Sequence, residues 1–234
     1  PAVMGEATRT DLAPLREPPA APQVATHNFR FSEDYDLYPS GAKTKYKNNV
    51  MAIKLLKQIE LEKRTATPEE QIILARYVGW GGLANAFSST ASGWENEYQE
   101  LKSLLTDVEY KAAMNSTITA YYTEPDLIRH IYRALERFGF EGGPDRKILD
   151  PGMGTGNFYS VLPEQFQESK LFGVELDSIT GRIAKQLYPD ADISIMGYEA
   201  TKFEDNSFDV ILGNIPFNSV KIYDRRYNDL NPYI

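Results

Sequence analysis

The sequence contains no cysteine, which excludes disulfide scaffolds, cysteine–zinc sites and thiol nucleophiles and is compatible with a reducing compartment. Its two histidines, His27 and His130, are too few for a multi-histidine metal centre, and no metal is expected. No apolar run approaches the roughly 18–20 residues of a membrane span, so no membrane partner is expected. The start of the chain lacks the apolar core of a signal peptide. A basic excess is missing too: 25 Lys and Arg against 33 Asp and Glu leave a net charge of −8. Any polyanion must therefore be met by a local patch. What remains is ordinary for a globular protein, with 42% hydrophobic and 25% charged residues. The 234 residues suffice for one large domain, or for one domain with a helical appendage. The chain opens on Pro1 rather than Met, which suggests a piece of something longer.

Three zones follow from the pattern. Residues 1–26 carry Pro14, Pro18, Pro19 and Pro22 among alanines and read as a disordered or extended linker. Residues 27–115 read as a helical region. Val50, Met51, Ile53, Leu55, Leu56, Ile59 and Leu61 form an apolar stripe with helical spacing. Thr67-Pro68-Glu69-Glu70 is a capping box opening a helix through Val78, which the glycines of Gly79-Trp80-Gly81-Gly82 stop. Thr106-Asp107-Val108-Glu109 is a second capping box before a short helix to about Met114. Residues 116–234 change character. A helix over Pro125–Phe138 precedes strand patterns at 147–150, 171–175, 193–195 and 208–212. Helices fall between them, one closing near Pro163 and one over Ser178–Leu187. Strands alternating with helices give an α/β fold with a wound parallel sheet.

Between the first strand and its helix lies Asp150-Pro151-Gly152-Met153-Gly154-Thr155-Gly156. Its glycines allow a sharp turn and close approach of a ligand to the backbone. Glu175 ends the next strand about 20 residues on, where a carboxylate can accept both ribose hydroxyls of an adenosine-type ligand. No lysine followed by Ser or Thr succeeds the glycines, which argues against a nucleoside triphosphate loop. An acid immediately before the turn suits a cationic or zwitterionic ligand better than a phosphate. S-adenosylmethionine has those features.

Asn214-Ile215-Pro216-Phe217 follows the fourth strand, at the mouth where wound sheets bind ligands. The Asn214 side-chain oxygen and the Ile215 carbonyl can accept the two hydrogens of a planar amine and localise its lone pair. Pro216 stiffens the loop, and Phe217 offers a face for stacking, worth about 1–3 kcal/mol for a base. Catalysis would then rest on positioning and fixed dipoles, without a strong base.

In order, Tyr121-Tyr122-Thr123-Glu124-Pro125, the glycine turn, Glu175 and the 214–217 tetrad resemble the amino-group DNA methyltransferases of N6-adenine type. The likeness is greatest to the methylase region of the large helicase–methylase fusion proteins of phages and conjugative elements, and it includes Tyr77-Val78-Gly79-Trp80-Gly81-Gly82. The resemblance implies a Rossmann-like S-adenosylmethionine-dependent methyltransferase sheet, preceded by the helical N-terminal region. It assigns Tyr122 and Thr123 to the methionine end of the cofactor, and Asp150, Gly152, Gly154, Thr155 and Gly156 to the cofactor turn. Glu175 becomes the ribose acid, and Glu199 or Phe203 holds the adenine. Asn214, Ile215, Pro216 and Phe217 become the catalytic tetrad, with Ile215 standing where proline is usual. It also implies a bacterial or phage cytoplasmic setting and further domains, including a helicase and a target-recognition region. Because such domains continue beyond the tetrad, the sheet is expected to be partial, ordered 3-2-1-4, with the fourth strand at an edge.

Duplex DNA with a flipped adenine would need a phosphate-gripping surface. Lys43, Lys45, Lys47, Lys54, Lys57, Lys63 and Arg64 oppose only Glu60 and Glu62 between residues 41 and 64. This segment, with Tyr46 inside it, reads equally as a nucleic-acid surface, carried chiefly by Lys43, Lys45, Lys47, Lys54 and Lys57, or as a solvated lysine face. Lys221, Arg225 and Arg226 form a smaller candidate patch. Two other functions share these motifs: methylation of RNA or of a protein glutamine, and a non-catalytic DNA-binding or antirestriction module.

Overall fold

A computed structural model describes residues 27–38, 40–118 and 123–215. The linker expected over 1–26, together with Tyr122, Pro216, Phe217, Lys221, Arg225 and Arg226, lies outside the described residues.

The helical region contains α1 (Ala42–Leu61), α2 (Pro68–Ala75), α3 (Glu95–Leu104) and α4 (Asp107–Asn115). Both capping boxes form: Thr67 with Glu70 opens α2, and Thr106 with Glu109 opens α4. Helix α1 buries Val50, Ile53, Leu56 and Ile59, the expected stripe, while Met51 and Leu61 face solvent. Helix α2 ends earlier than its apolar pattern suggests. The buried Asn49 of α1 accepts the Val78 amide at 2.9 Å and donates to the Gly79 carbonyl at 2.6 Å. These side-chain bonds replace the next turn of backbone bonds. Helix α3 escaped the sequence reading because, of its ten residues, only Leu101 is buried.

The second half contains α5 (Pro125–Arg137), β1 (Lys147–Asp150), α6 (Asn157–Ser160), β2 (Lys170–Glu175), α7 (Ser178–Leu187), β3 (Asp192–Ile195) and β4 (Val210–Ile211). All pairings are parallel, and the order is β3-β2-β1-β4, as expected. Helix α6 is a single turn, because the chain turns out at Val161 just ahead of Pro163, whose ring restricts Leu162. Strand β4 is shorter than its apolar run. Phe208 leaves the ladder to pack edge-on against Phe172 and Phe203, with ring centroids 5.3 and 4.9 Å away. No described helix is long and apolar enough to cross a membrane.

One apolar cluster runs from the helical region into the sheet, from Phe29 and Trp80 to Ile148, Ile183 and Val210. Polar bonds key the two parts together. Gln71 of α2 donates to the Gln186 carbonyl at 2.9 Å, and the Ala66 amide donates to the Gln186 side chain at 2.9 Å. The Phe29 amide donates to the Leu187 carbonyl at 2.7 Å. Both sets of bonds meet the C-terminal end of α7, which orients that helix behind the sheet edge where the site lies.

Candidate functional site

Three strand ends and one loop converge at the carboxyl edge of the sheet. Strand β1 delivers Asp150 and the turn over 151–156, and β2 delivers Glu175. Strand β3 delivers Met196, and β4 leads through Leu212 and Gly213 to Asn214 and Ile215. The Leu212 amide still bonds the Leu149 carbonyl at 2.9 Å, so β4 stays beside β1 almost to the tetrad.

The glycine turn is held by carboxylates. Asp150 Oδ1 accepts the Gly152 amide at 3.2 Å, and Glu175 Oε2 accepts the Gly154 amide at 2.9 Å. Glu175 Oε1 accepts the Asp177 amide at 2.7 Å. The Met153 amide reaches the Val174 carbonyl at 3.0 Å, tying the turn to β2. Gly156 closes the turn at φ 86°, against Tyr188, whose hydroxyl donates to the Gly156 carbonyl at 2.8 Å. A side chain there would be strained and would overlap the Tyr188 ring. Thr155, inside the turn, donates its hydroxyl to the Asn157 side-chain oxygen at 3.4 Å, and Asn157, just beyond, donates to the Thr123 carbonyl at 3.2 Å. Thr123 is thereby anchored to the turn.

Two acids share this edge. Burial pushes the Asp150 carboxyl up to about 7, with neighbouring Glu175 adding to the rise and the Gly152 amide opposing it. Burial likewise pushes Glu175 up to about 7. The Asp177 and Gly154 amides oppose that rise, and the Asp177 charge adds to it. Each Glu175 oxygen has used one lone pair on an amide, which leaves two acceptor positions for hydroxyl donors. The Gly152 and Gly154 amides are already committed to carboxylates, so the turn is poorly suited to a phosphate. Leu176, directly after Glu175, is 76% exposed, and Met196 is 40% exposed after β3. An acid beside two open apolar side chains suits a nucleoside, with hydroxyls on Glu175 and an apolar ring on the rim. The donor set therefore fits S-adenosylmethionine.

Of the two adenine candidates, Glu199 lies exposed at the mouth of β3, its carboxylate folded over Gly197. Phe203 instead packs edge-on against Phe208, before the start of β4. Asn214 and Ile215 stand exposed at the end of the β4 extension. Gly213, between them and the strand, lies against Asp150: a Cβ there would overlap Oδ1. The start of the glycine turn and the Asn214-Ile215 segment are thus neighbours.

The lysine segment is largely neutralised by acids distant in sequence. Lys43 pairs with Glu97 at 2.5 Å and lies over the Trp94 ring, Lys54 pairs with Glu100 at 2.7 Å, and Lys57 pairs with Glu109 at 3.0 Å. Arg64 is gripped by Glu62 and Glu70. Among the described residues Lys45, Lys47 and Lys63 make no ion pair, so the free positive charge is smaller than the segment's formula suggests.

Several participants carry no sequence motif. Tyr159 accepts the Asp150 amide at 3.1 Å and donates to the Phe172 carbonyl, which fixes the end of β1. Leu176, Met196 and Gly213 become visible only through exposure or close approach. Asp177 had a signal, since an aspartate immediately before a helix is an N-cap, and it accepts the Thr180 amide at 2.8 Å.

A family model described as a methyltransferase domain matches residues 148–227, from β1 through the tetrad. A curated relative from Escherichia phage P1, "Defense against restriction protein B", is 26% identical over 171 residues, which is 72% of this chain and 6% of that protein. The "Modification methylase CviBIII" of Paramecium bursaria Chlorella virus NC1A is 32% identical over 78 residues, 33% of this chain and 21% of that protein. The chain therefore spans only a small part of either relative. Among solved structures, a TehB-like SAM-dependent methyltransferase from Corynebacterium glutamicum is 24% identical, covering 38% of this chain and 54% of that one with a TM-score of 0.26.

Proposed function

We propose that the chain is an S-adenosylmethionine-dependent methyltransferase module acting on the N6 amino group of adenine in DNA. The observation that carries this reading is the contact of Gly213 with Asp150, which sets the Asn214-Ile215 loop beside an acid-lined glycine turn. The methyltransferase-domain match over 148–227 supports the reaction class, and the modification methylase relative supports DNA as substrate.

When bound, S-adenosylmethionine supplies a sulfonium methyl group that an amine lone pair displaces from sulfur. Glu175 would hold the ribose hydroxyls on its two remaining lone pairs. Leu176, Met196 and Glu199 would hold the adenine. Asp150, the turn over 152–156 and Thr123 would receive the amino-acid end. The Asn214 side-chain oxygen and the Ile215 carbonyl accept the two amine hydrogens of the target base, which keeps the nitrogen lone pair out of the ring. Pro216 and Phe217 complete the tetrad, as stiffener and stacking face. Lys45 and Lys47 are the cations of the α1 segment that remain for phosphate contacts.

The test is transfer of isotope from labelled S-adenosylmethionine to DNA, RNA and protein. Transfer to DNA, abolished by Asn214→Ala with cofactor binding retained, is the expected result. Transfer to protein or RNA instead would redirect the substrate, and survival of activity in Asn214→Ala would remove the tetrad assignment. A second reading, a non-catalytic antirestriction module, is favoured by the phage P1 likeness over 72% of the chain. Cofactor binding without transfer to any acceptor would select it.

A further inference from the structure

Two buried phenols meet the two ends of the glycine turn. Tyr159, in α6, and Tyr188, directly after α7, are each 1% exposed. Burial raises both hydroxyls well above their ordinary pKa range, so each keeps its proton. A phenylalanine would fill nearly the same space, and a buried phenol is costly unless its hydroxyl is bonded. The Tyr159 hydroxyl accepts the Asp150 amide at 3.1 Å and donates to the Phe172 carbonyl. The Tyr188 hydroxyl donates to the Gly156 carbonyl at 2.8 Å. Asp150 begins the turn and Gly156 ends it.

Neither backbone group depends on a phenol for a partner. Asp150 pairs with Gly173 in the parallel ladder, a register that already directs the Asp150 amide to the Phe172 carbonyl. The Gly156 carbonyl already takes the Tyr159 amide at 2.9 Å and the Ser160 amide at 3.1 Å. The hydroxyls therefore add position: Tyr159 holds the β1 end of the turn against β2, and Tyr188 holds its α6 end against the end of α7. The two rings meet edge-on with centroids 5.8 Å apart, so each anchor braces the other. The chain before η1 (Glu33–Tyr35) ties the pair from behind. Its Phe31 amide donates to the Ser160 carbonyl at 2.9 Å and its Phe29 amide to the Leu187 carbonyl at 2.7 Å, each one residue from a tyrosine.

We propose that Tyr159 and Tyr188 are positioning residues for the amino-acid end of the cofactor, setting the start and the end of the turn that receives it. The inference rests on the cofactor reading above, in which Asp150 and the turn over 152–156 take that end. Both phenols act through the backbone. Glu175 keeps a separate anchor in the Asp177 amide at 2.7 Å, so the adenosine half should feel the phenols little.

The test compares binding of S-adenosylhomocysteine by calorimetry with binding of 5′-methylthioadenosine, which keeps the adenosine and the sulfur but lacks the amino-acid end. The proteins are the full 234-residue chain, Tyr159→Phe and Tyr188→Phe. Each variant should weaken S-adenosylhomocysteine about three- to tenfold, the worth of one hydrogen bond, and leave 5′-methylthioadenosine within about twofold. Both variants should fold, because the backbone groups keep their other partners; should one fold poorly, the other carries the test. Equal loss on both ligands would show a packing role and overturn the proposal, as would no loss on either. Absence of binding of both ligands by the parent chain would remove the cofactor reading itself, and the positioning role with it.

Discussion

Gly213 lies so close to Asp150 that a Cβ on it would overlap the carboxylate oxygen that also receives the Gly152 amide. Asp150 is 1% exposed and cannot swing into solvent. Gly213→Ala must therefore displace either the acid or the loop bearing Asn214. We expect a loss of about 1–3 kcal/mol, the usual cost of overpacking, in urea unfolding. Methyl transfer should fall more steeply than stability, because both halves of the site move. An alanine variant with parental stability and transfer would show that the two segments are not in contact.

The paired acids set a pH dependence. Asp150 and Glu175 are raised from ordinary values of 3.8 and 4.5 to about 7, so the folded chain holds protons there more tightly than the unfolded chain. Their contribution to stability is therefore greatest at low pH and falls as pH rises from about 4 to 7. A cationic cofactor favours the ionised acids. Its affinity should rise between about pH 6 and 7.5, with protons released on binding. Calorimetry in two buffers of different ionisation enthalpy measures that release, and proton uptake or a pH-independent affinity would contradict the assignment.

The local motifs were legible because each is contained in a few residues. Asp150 with its glycines, Glu175 at a strand end and the two capping boxes all carry their physics within one turn or one strand. The sheet order followed from the alternation of strands and helices together with the resemblance. The lysine segment shows where such reading stops. Lys54 meets Glu100 and Lys57 meets Glu109, partners 46 and 52 residues away, the first on a helix the sequence does not place and the second in a capping box that gives no sign of facing α1. Charge counted along a segment measures its surface only if no distant acid folds onto it. Leu176 and Met196 were missed for a related reason, since an apolar residue signals a binding rim only once it is known to be exposed.

Asn49 is fully buried, and its amide group serves both the Val78 amide and the Gly79 carbonyl. Asn49→Ala would strand two backbone groups in an apolar core. The expected cost is about 2–4 kcal/mol in chemical unfolding, since each unpaired buried group costs about 1–3 kcal/mol. Unchanged stability would show that the Asn49 clamp contributes nothing to the fold.

Glu109 joins three helices. It accepts Lys57 of α1 at 3.0 Å and Arg182 of α7 at 2.5 Å while capping α4 through the Thr106 amide at 2.9 Å. Burial alone would raise its pKa, but the Thr106 amide, Lys57 and Arg182 together hold it down at about 2. The folded value lies below the ordinary 4.5, so the stabilisation is complete above about pH 4.5 and is lost as pH falls toward 2. Glu109→Gln keeps the shape and removes the charge. It should cost about 1–3 kcal/mol at neutral pH, and the gap to the parent should narrow at about pH 3.5. Urea unfolding at the two pH values measures both quantities. A gap that stays constant would mean that Glu109 acts through shape and hydrogen bonding, and that its charge does not hold α7 to the helical region.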